Sequence, residues 1–233
     1  MPSVFDNHFQ ALVIGASGAI GEAFTQALMA MPNCTRVVAV SRATHPDFDL
    51  RNEASMAALA QTLAASAPYG LMIDATGALT INGHGPEKSL AALDMTQLAN
   101  AMQINAIAPA LLLKYLSPLL EHGPAIYAKL SARVGSISDN RKGGWYGYRA
   151  AKAALNMYLQ TAALELQRKN PKLQVVALQP GTVQSQLSAP FTAGAPSVLS
   201  PAQSVSGLLT ALASLPHPSG AHFVDYKGET IRW

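Results

Sequence analysis

The stretch Ala11-Leu-Val-Ile14-Gly15-Ala-Ser-Gly18-Ala-Ile-Gly21 decides the fold of this 233-residue chain. Its four apolar residues, ending at a glycine, indicate a buried strand, and residues 22–31 continue with helical periodicity as far as Pro32. A strand, a glycine-rich turn and a helix in this order predict a nucleotide-binding turn. Glycines let the backbone approach phosphate, and the helix N-terminus supplies amides and the positive end of its dipole. A plain tight turn is the alternative.

Further strands and helices alternate along the rest of the chain. Short apolar runs predict strands at 36–40, 47–50, 71–74, 125–130, 174–178 and 221–224, and helical runs separate most of them, notably 52–67, 95–120, 148–166 and 201–214. This rhythm predicts parallel βαβ units with right-handed crossovers. We therefore expect an α/β fold of the doubly wound type. It has a mainly parallel sheet of about seven strands with helices on both faces, in one domain spanning residues 1–233.

Composition excludes several classes of protein. Apolar residues make up 49% of the chain and charged residues 12%, which argues against disorder, and the net charge of +3 is too small to indicate a nucleic-acid partner. The single cysteine, Cys34, excludes an intramolecular disulfide, and the histidines lack metal-ligand spacing, so no metal site is expected. Neither a secretory signal nor a membrane span is recognisable. A cytoplasmic protein without a membrane partner is the expectation.

Tyr148 and Lys152 form the first candidate catalytic pair. Residues four apart in a helix lie on one face, so the phenol and the ammonium are expected to share the same space. A nearby cation favours the phenolate and lowers the tyrosine pKa towards the range of a general acid. The alternative is an exposed Tyr-Lys pair on an amphipathic helix.

Two other residues stand where a ligand is expected. Arg42 follows the second predicted strand, where an arginine can pair with the 2′-phosphate of NADP; the alternative is a solvated arginine at a strand end. Asn105 lies inside a long helical run that Pro109 is placed to bend or break, and it is either exposed or has an amide with a role.

Several motifs in this order resemble the short-chain dehydrogenase/reductase family. Gly135-Ser-Ile-Ser-Asp-Asn140, Gly143-Gly-Trp-Tyr146, Tyr148-Arg-Ala-Ala-Lys-Ala-Ala-Leu-Asn156 and Gly228-Glu-Thr-Ile-Arg-Trp233 resemble its C-factor-like branch. The resemblance covers nearly the whole chain and implies a Rossmann-type fold that binds NADP(H), with NAD(H) possible. The cofactor-binding residues that it implies are Gly15, Ser17, Gly18, Ala19, Ile20, Gly21, Ser41, Arg42, Asp49, Leu50, Ala75, Thr76, Gly77, Tyr148, Lys152, Pro180, Gly181, Thr182, Val183 and Ser185.

The resemblance also implies a mechanism. Hydride passes between the nicotinamide and a small carbonyl or alcohol substrate, with Tyr148 exchanging the proton, Lys152 lowering the tyrosine pKa and Asn105 supporting a water chain. Ala132 occupies the usual serine position, so Ser131 is the favoured donor to the substrate oxygen; otherwise the donor is missing, or Ser136 or Ser138 supplies it.

Three further expectations concern the protein as a whole. Residues 182–200 are expected to form a substrate flap. The resemblance also implies a homodimer or homotetramer, because members of that family commonly associate through their long helices. A dinucleotide-binding sensor or interaction protein with little turnover is the alternative to the oxidoreductase, because Ala132 and Asp74 depart from the family pattern.

Overall fold

A six-stranded, entirely parallel sheet forms the centre of the molecule in the computed structural model, which describes residues 3–185, 198–216 and 219–233. The strands are β1 (Phe9–Ile14), β2 (Cys34–Val40), β3 (Leu71–Asp74), β4 (Ala125–Leu130), β5 (Leu173–Gln179) and β6 (His222–Asp225). They lie in the order β2-β1-β3-β4-β5-β6, and every neighbouring pair is parallel. The expected single-domain, doubly wound α/β fold is confirmed.

Helices cover both faces of the sheet. They are α1 (Ala19–Met29), α2 (Glu53–Ala64), α3 (Met95–Met102), α4 (Ala108–Leu116), α5 (Tyr146–Leu166) and α6 (Pro201–Ala213). Leu112 and Leu155 belong to the core on one face, with α2, α4 and α5, whereas Phe24 and Leu208 belong to the core on the other, with α1 and α6. Both faces of each central strand are therefore buried, which explains why these strands are continuous apolar runs.

Residues 47–50 do not form the predicted third strand, so the sheet has six strands instead of about seven. Local hydrogen bonds fold this segment into successive turns. The Phe48 amide donates to the His45 carbonyl, and the Arg51 amide donates to the Asp49 carboxylate at 2.9 Å. An aspartate that accepts from a backbone amide two residues later favours a turn over an extended ladder.

The helical run from Met95 is continuous but changes its winding at Asn105. A π-helical segment, Gln103–Ile107, joins α3 to α4, and a short 3₁₀ turn, Ser117–Leu119, ends the run. Pro109 has no amide proton to donate to the carbonyl of Asn105, four residues earlier, so regular α-helical bonding is interrupted here. The predicted irregularity is confirmed, and π segments of this kind are common at functional sites.

In the described ranges, no helix is long and apolar enough to cross a membrane. The expected flap, residues 182–200, is described only at its two ends. The amide of Leu199 donates to the carbonyl of Thr182, and the amide of Gln184 donates back to the carbonyl of Leu199, at 2.8 and 2.9 Å. The rest of this predicted flap, residues 186–197, lies outside the described residues.

Candidate active site

The turn between β1 and α1 has the close backbone packing that its glycines predict. Gly15 has a φ of +82°, and the Gly18 amide donates to its carbonyl at 3.1 Å. A Cβ on Gly21 would lie only 2.2 Å from that same carbonyl oxygen. The first turn of α1 therefore lies directly against the turn, and its N-terminus is left open at the carboxyl end of the sheet.

A cleft of about 340 Å³ opens beside this turn. It lies where the strand order reverses between β1 and β3, which is the usual ligand site of open α/β sheets. Among the predicted cofactor residues, Gly15, Ser17, Gly18, Ser41, Arg42, Asp49, Leu50, Ala75, Thr76 and Gly77 line it. Ala19, Ile20 and Gly21 do not line the cleft but form the first turn of α1 behind it.

Arg51 also lines the cleft, together with Phe48 and Ile104, and sequence reasoning missed all three. The Arg51 guanidinium donates to the side chain of Asn82 at 3.3 Å, whereas Arg42 is exposed and makes no ion pair with any described residue. The cleft thus has two cations at its mouth. Arg51 directly follows the predicted Asp49-Leu50 pair, and this position was the sequence signal from which its place in the cleft could have been predicted.

Tyr148 and Lys152 lie one helical turn apart on α5, with the lysine ammonium 5.5 Å from the centre of the tyrosine ring. Lys152 is buried, and its ammonium donates to the backbone oxygen of Leu130 at 3.0 Å. Burial, aided by the charge of Lys129, lowers the pKa of Lys152 to about 7. The structure therefore excludes the exposed-pair alternative.

The pKa of Tyr148 moves in the direction opposite to the sequence-based expectation. Burial of the phenol raises this pKa well above its ordinary value, because a phenolate loses its hydration there. Lys152 does not reverse the effect, since its own pKa of about 7 leaves much of it uncharged at neutral pH. The chain alone holds Tyr148 as a neutral phenol.

Asn105 is fully buried, and its amide braces the loop after β3. Its Oδ1 accepts from the Ala78 amide and its Nδ2 donates to the Ala78 carbonyl, each at 2.9 Å. A Cβ on the neighbouring Gly77 would lie 3.1 Å from Asn105 Oδ1 and 3.7 Å from the Lys152 ammonium. Gly77 is thus the point at which the cleft meets the Tyr148–Lys152 pair.

Ser131 is buried and donates its single hydroxyl proton to Asn156 Oδ1 at 2.7 Å. In this arrangement the hydroxyl proton is used in a hydrogen bond to α5. Ser136 likewise donates to the backbone oxygen of Arg232 at 2.6 Å, and Ser138 lies 3.3 Å from Ser136. Each of the three serines that sequence analysis considered is therefore engaged within the chain.

A buried ion pair beneath the loop after β3 was not predicted. Asp74 and Lys129 are register partners on β3 and β4, both fully buried, with 2.9 Å between Nζ and Oδ1. The ammonium also donates to the backbone oxygen and the hydroxyl of Thr76, at 2.6 and 3.0 Å. Two charged residues in otherwise apolar strands were the available signal.

The loop between β3 and α3 closes over Tyr148. Residues from Ala78 to Glu87 enclose a small cavity beside its ring. Glu87 holds the loop in place, because its carboxylate accepts from the Gly147 amide at 3.0 Å and its backbone oxygen accepts from the Trp145 amide. The Trp145 ring also contacts the Tyr148 ring edge to face, with 6.2 Å between centroids.

The segment after β5 completes the carboxyl edge of the sheet. The Pro180 carbonyl accepts a hydrogen bond from Ser204 at 2.7 Å. Gly181 has a φ of +79°, and a Cβ there would lie 2.9 Å from the side chains of Leu199 and Tyr226. Thr182 and Val183 pair with Leu199, and Ser185 ends the described part of this segment. No cluster of potential metal ligands occurs among the residues that the structure describes.

The chain is similar to known proteins of one family. The family model described as short chain dehydrogenase matches residues 10–195. The protein named C-signal of Myxococcus xanthus is 32% identical over 147 residues, which is 62% of this chain and 84% of that protein. A 1-hydroxy-2-glutathionyl-2-methyl-3-butene dehydrogenase of Rhodococcus sp. (strain AD45) is 29% identical over 188 residues, 81% of this chain and 79% of that protein.

Solved structures share the fold. The NADPH-bound carbonyl reductase from chicken fatty liver superimposes with a TM-score of 0.83 at 23% identity, covering 97% of this chain and 95% of that one. The carbonyl reductase Sniffer of D. melanogaster superimposes with a TM-score of 0.81 at 20% identity, covering 97% and 100%.

Proposed function

The chain belongs to the short chain dehydrogenase family, in its C-factor-like branch, and on that premise we propose that it is an NADP-preferring oxidoreductase acting on a small carbonyl or alcohol. The observation that supports this most directly is the placement of Tyr148 and Lys152 on one face of α5, with Gly77 bridging from the lysine to the cleft.

The residues lining the cleft fit a nicotinamide dinucleotide. Gly15 and Gly18 have no side chains, so a pyrophosphate can approach the backbone there. The N-terminus of α1 offers unpaired amides and the positive end of the helix dipole. Ser41 and Arg42, at the end of β2, are placed to receive a 2′-phosphate, and this supports the preference for NADP over NAD. A bound nicotinamide would supply or accept the hydride.

The protein's own groups handle the proton. Tyr148, held neutral by burial, can donate its proton to a carbonyl oxygen during reduction, and Lys152 beside it stabilises the resulting phenolate when the lysine is protonated. Asn105 keeps the loop at Ala78 in place. Ser131 can serve as the substrate's second donor only after breaking its bond to Asn156.

The test is a screen of aldehydes and ketones with NADPH, comparing the unchanged protein with Tyr148→Phe. We expect turnover in the unchanged protein and a loss of roughly 100-fold or more in the variant, since general acid catalysis contributes about that much. Tyr158→Phe is the matched control, because this tyrosine lies on the same helix and is exposed. Equal rates in Tyr148→Phe and the control would contradict the proposal.

A catalytically weak dinucleotide-binding sensor remains the second candidate. Two observations support it. Ala132 occupies the usual serine position, and the Ser131 hydroxyl donates its hydrogen bond to Asn156. A relative carries the name C-signal. Tight binding of NADPH without turnover on any carbonyl or alcohol is the result expected of this candidate, so the same screen separates the two.

The oligomeric state and location complete the proposal. We propose a homodimer or homotetramer that forms through α5, which has large apolar side chains exposed on its outer face. A cytoplasmic location stays a prediction from the sequence.

A further inference from the structure

We propose that the buried Asp74–Lys129 pair is a positioning device for the Tyr148–Lys152 site. The pair acts on the cofactor loop through Thr76 and on the ammonium of Lys152 through the charge of Lys129. The inference rests on the proposed function for its catalytic meaning, but its structural basis is independent of any substrate.

The hydrogen bonds around Lys129 account for all three protons of an ammonium. They go to Asp74 Oδ1 at 2.9 Å, to the Thr76 carbonyl at 2.6 Å and to the Thr76 hydroxyl at 3.0 Å. Asp74 Oδ1 in turn accepts from the Thr76 amide at 2.9 Å and from the Thr76 hydroxyl at 2.6 Å. Every polar group of Thr76 is therefore held by the pair.

Thr76 connects the pair to the cleft. Together with Ala75 and Gly77 it lines the cleft where the dinucleotide is expected, and Gly77 borders both Asn105 and Lys152. Because the pair is inaccessible to water and fixed by adjacent strands, it sets the course of this loop as β3 ends. A loop held by charged hydrogen bonds is more rigid than one held by neutral bonds alone.

The second link is electrostatic. Lys152 donates to the carbonyl of Leu130, the residue that directly follows Lys129, so two lysine side chains are buried in one region. The charges that act on Lys152 are those of Lys129 from β4 and Asp74 from β3. Tyr148 lies beside Lys152 on α5, and Tyr127 from β4 donates to Asp74. Like charges in a region of low dielectric disfavour each other strongly.

The sign of the effect follows from these charges. Burial lowers the pKa of Lys152 most, the positive charge of Lys129 lowers it further, and the negative charge of Asp74 raises it by less. Removing Lys129 therefore raises the pKa of Lys152, whether Asp74 then stays charged or takes up a proton. Removing both charges raises it as well, because the effect of Lys129 is the larger.

The experiment is an NMR titration of the cofactor-free protein carrying ¹³C-labelled lysine. The Lys152 signal is identified by its loss in Lys152→Met. We expect a midpoint near 7 in the unchanged protein, moving upward by about one pH unit in Lys129→Met. In Asp74→Asn/Lys129→Met the midpoint should move upward by less, because the opposing charge of Asp74 is also lost. Lys114→Met is the control, since it removes an exposed lysine paired with Glu53 at 2.9 Å, and we expect no movement.

The double variant keeps the test decisive if Lys129→Met does not fold, because it leaves no buried charge without a partner. A Lys152 midpoint near the ordinary lysine value in the unchanged protein would overturn the proposal. So would a midpoint that the folded double variant leaves in place. Where turnover is found, the alkaline limit of activity should move in the same direction as the NMR midpoint. Absence of turnover would remove the proposed oxidoreductase but leave the titration result unaffected.

Discussion

Single side chains show how burial alters the chemistry that a sequence motif implies. The spacing of Tyr148 and Lys152 correctly predicts that they share one helix face. It does not predict that Lys152 is buried and Tyr148 half-buried, and this desolvation raises the pKa of the tyrosine and lowers that of the lysine. Desolvation opposes whichever form is charged, so it moves an acid and a base in opposite directions. The chain without its cofactor therefore keeps Tyr148 as a neutral phenol that is a weaker acid than an ordinary tyrosine.

The residues that sequence reasoning missed are those whose partners lie on another strand. Asp74 and Lys129 are 55 positions apart and meet only because β3 and β4 pair in one particular register. Neither the order of the strands nor their register is readable from a single sequence. The Gly15 turn, in contrast, depends on local backbone conformation, so its tight glycine-dependent shape could be predicted from the sequence.

Arg42 provides a test of cofactor preference at the scale of one residue. Arg42→Ala should weaken NADPH binding by roughly 10-fold or more, because a charge-assisted bond to the 2′-phosphate is lost. NADH binding should hardly change. The measurement is fluorescence titration of both cofactors.

Arg51→Ala is the matched comparison for Arg42, because Arg51 lies in the same cleft with its guanidinium bonded to Asn82. We expect Arg51→Ala to leave the ratio of NADPH to NADH affinity nearer to that of the unchanged protein. Equal weakening of both cofactors in Arg42→Ala would show that Arg42 does not read the 2′-phosphate.

At the scale of elements, the helices were more predictable than the segments that join them. Asn52 caps α2 and Ser200 forms a capping box at α6, so the starts of both helices follow from local chemistry. The strand prediction at 47–50 was wrong, because the Asp49 side chain accepts from the Arg51 amide and folds the segment into turns. The π segment needed Pro109 as its signal, but the type of irregularity was not deducible.

Glu87 joins two elements, and its loss should weaken both. Its carboxylate accepts from the Gly147 amide in the first turn of α5, where a negative charge is favoured by the helix dipole. Glu87→Gln should lower the free energy of unfolding by about 1 kcal/mol and speed hydrogen exchange in the loop that covers Tyr148. Urea unfolding and exchange mass spectrometry measure these effects.

Glu165→Gln is the control for Glu87, since Glu165 is exposed near the other end of the same helix. A negative charge there is disfavoured by the dipole, so its removal should leave stability unchanged or raise it by a few tenths of a kcal/mol, roughly. Equal losses of stability in the two variants would show that Glu87 has no capping role.

For the whole molecule, the outer face of α5 provides the test of association. Met157 and Leu164, seven residues apart and so on one helix face, are 66% and 49% exposed. The helix α3, which packs against α5, exposes Met95. Large apolar side chains grouped in this way mark association surfaces. Met157→Glu/Leu164→Glu should therefore convert a dimer or tetramer to a monomer, because charges would be buried without partners. The measurement is light scattering after size exclusion.

Met29→Glu is the control. It makes the same chemical change at a residue that is 70% exposed on α1, on the other face of the sheet, and it should leave the mass unchanged. A variant at Met157 and Leu164 that keeps the mass of the unchanged oligomer would place the interface elsewhere.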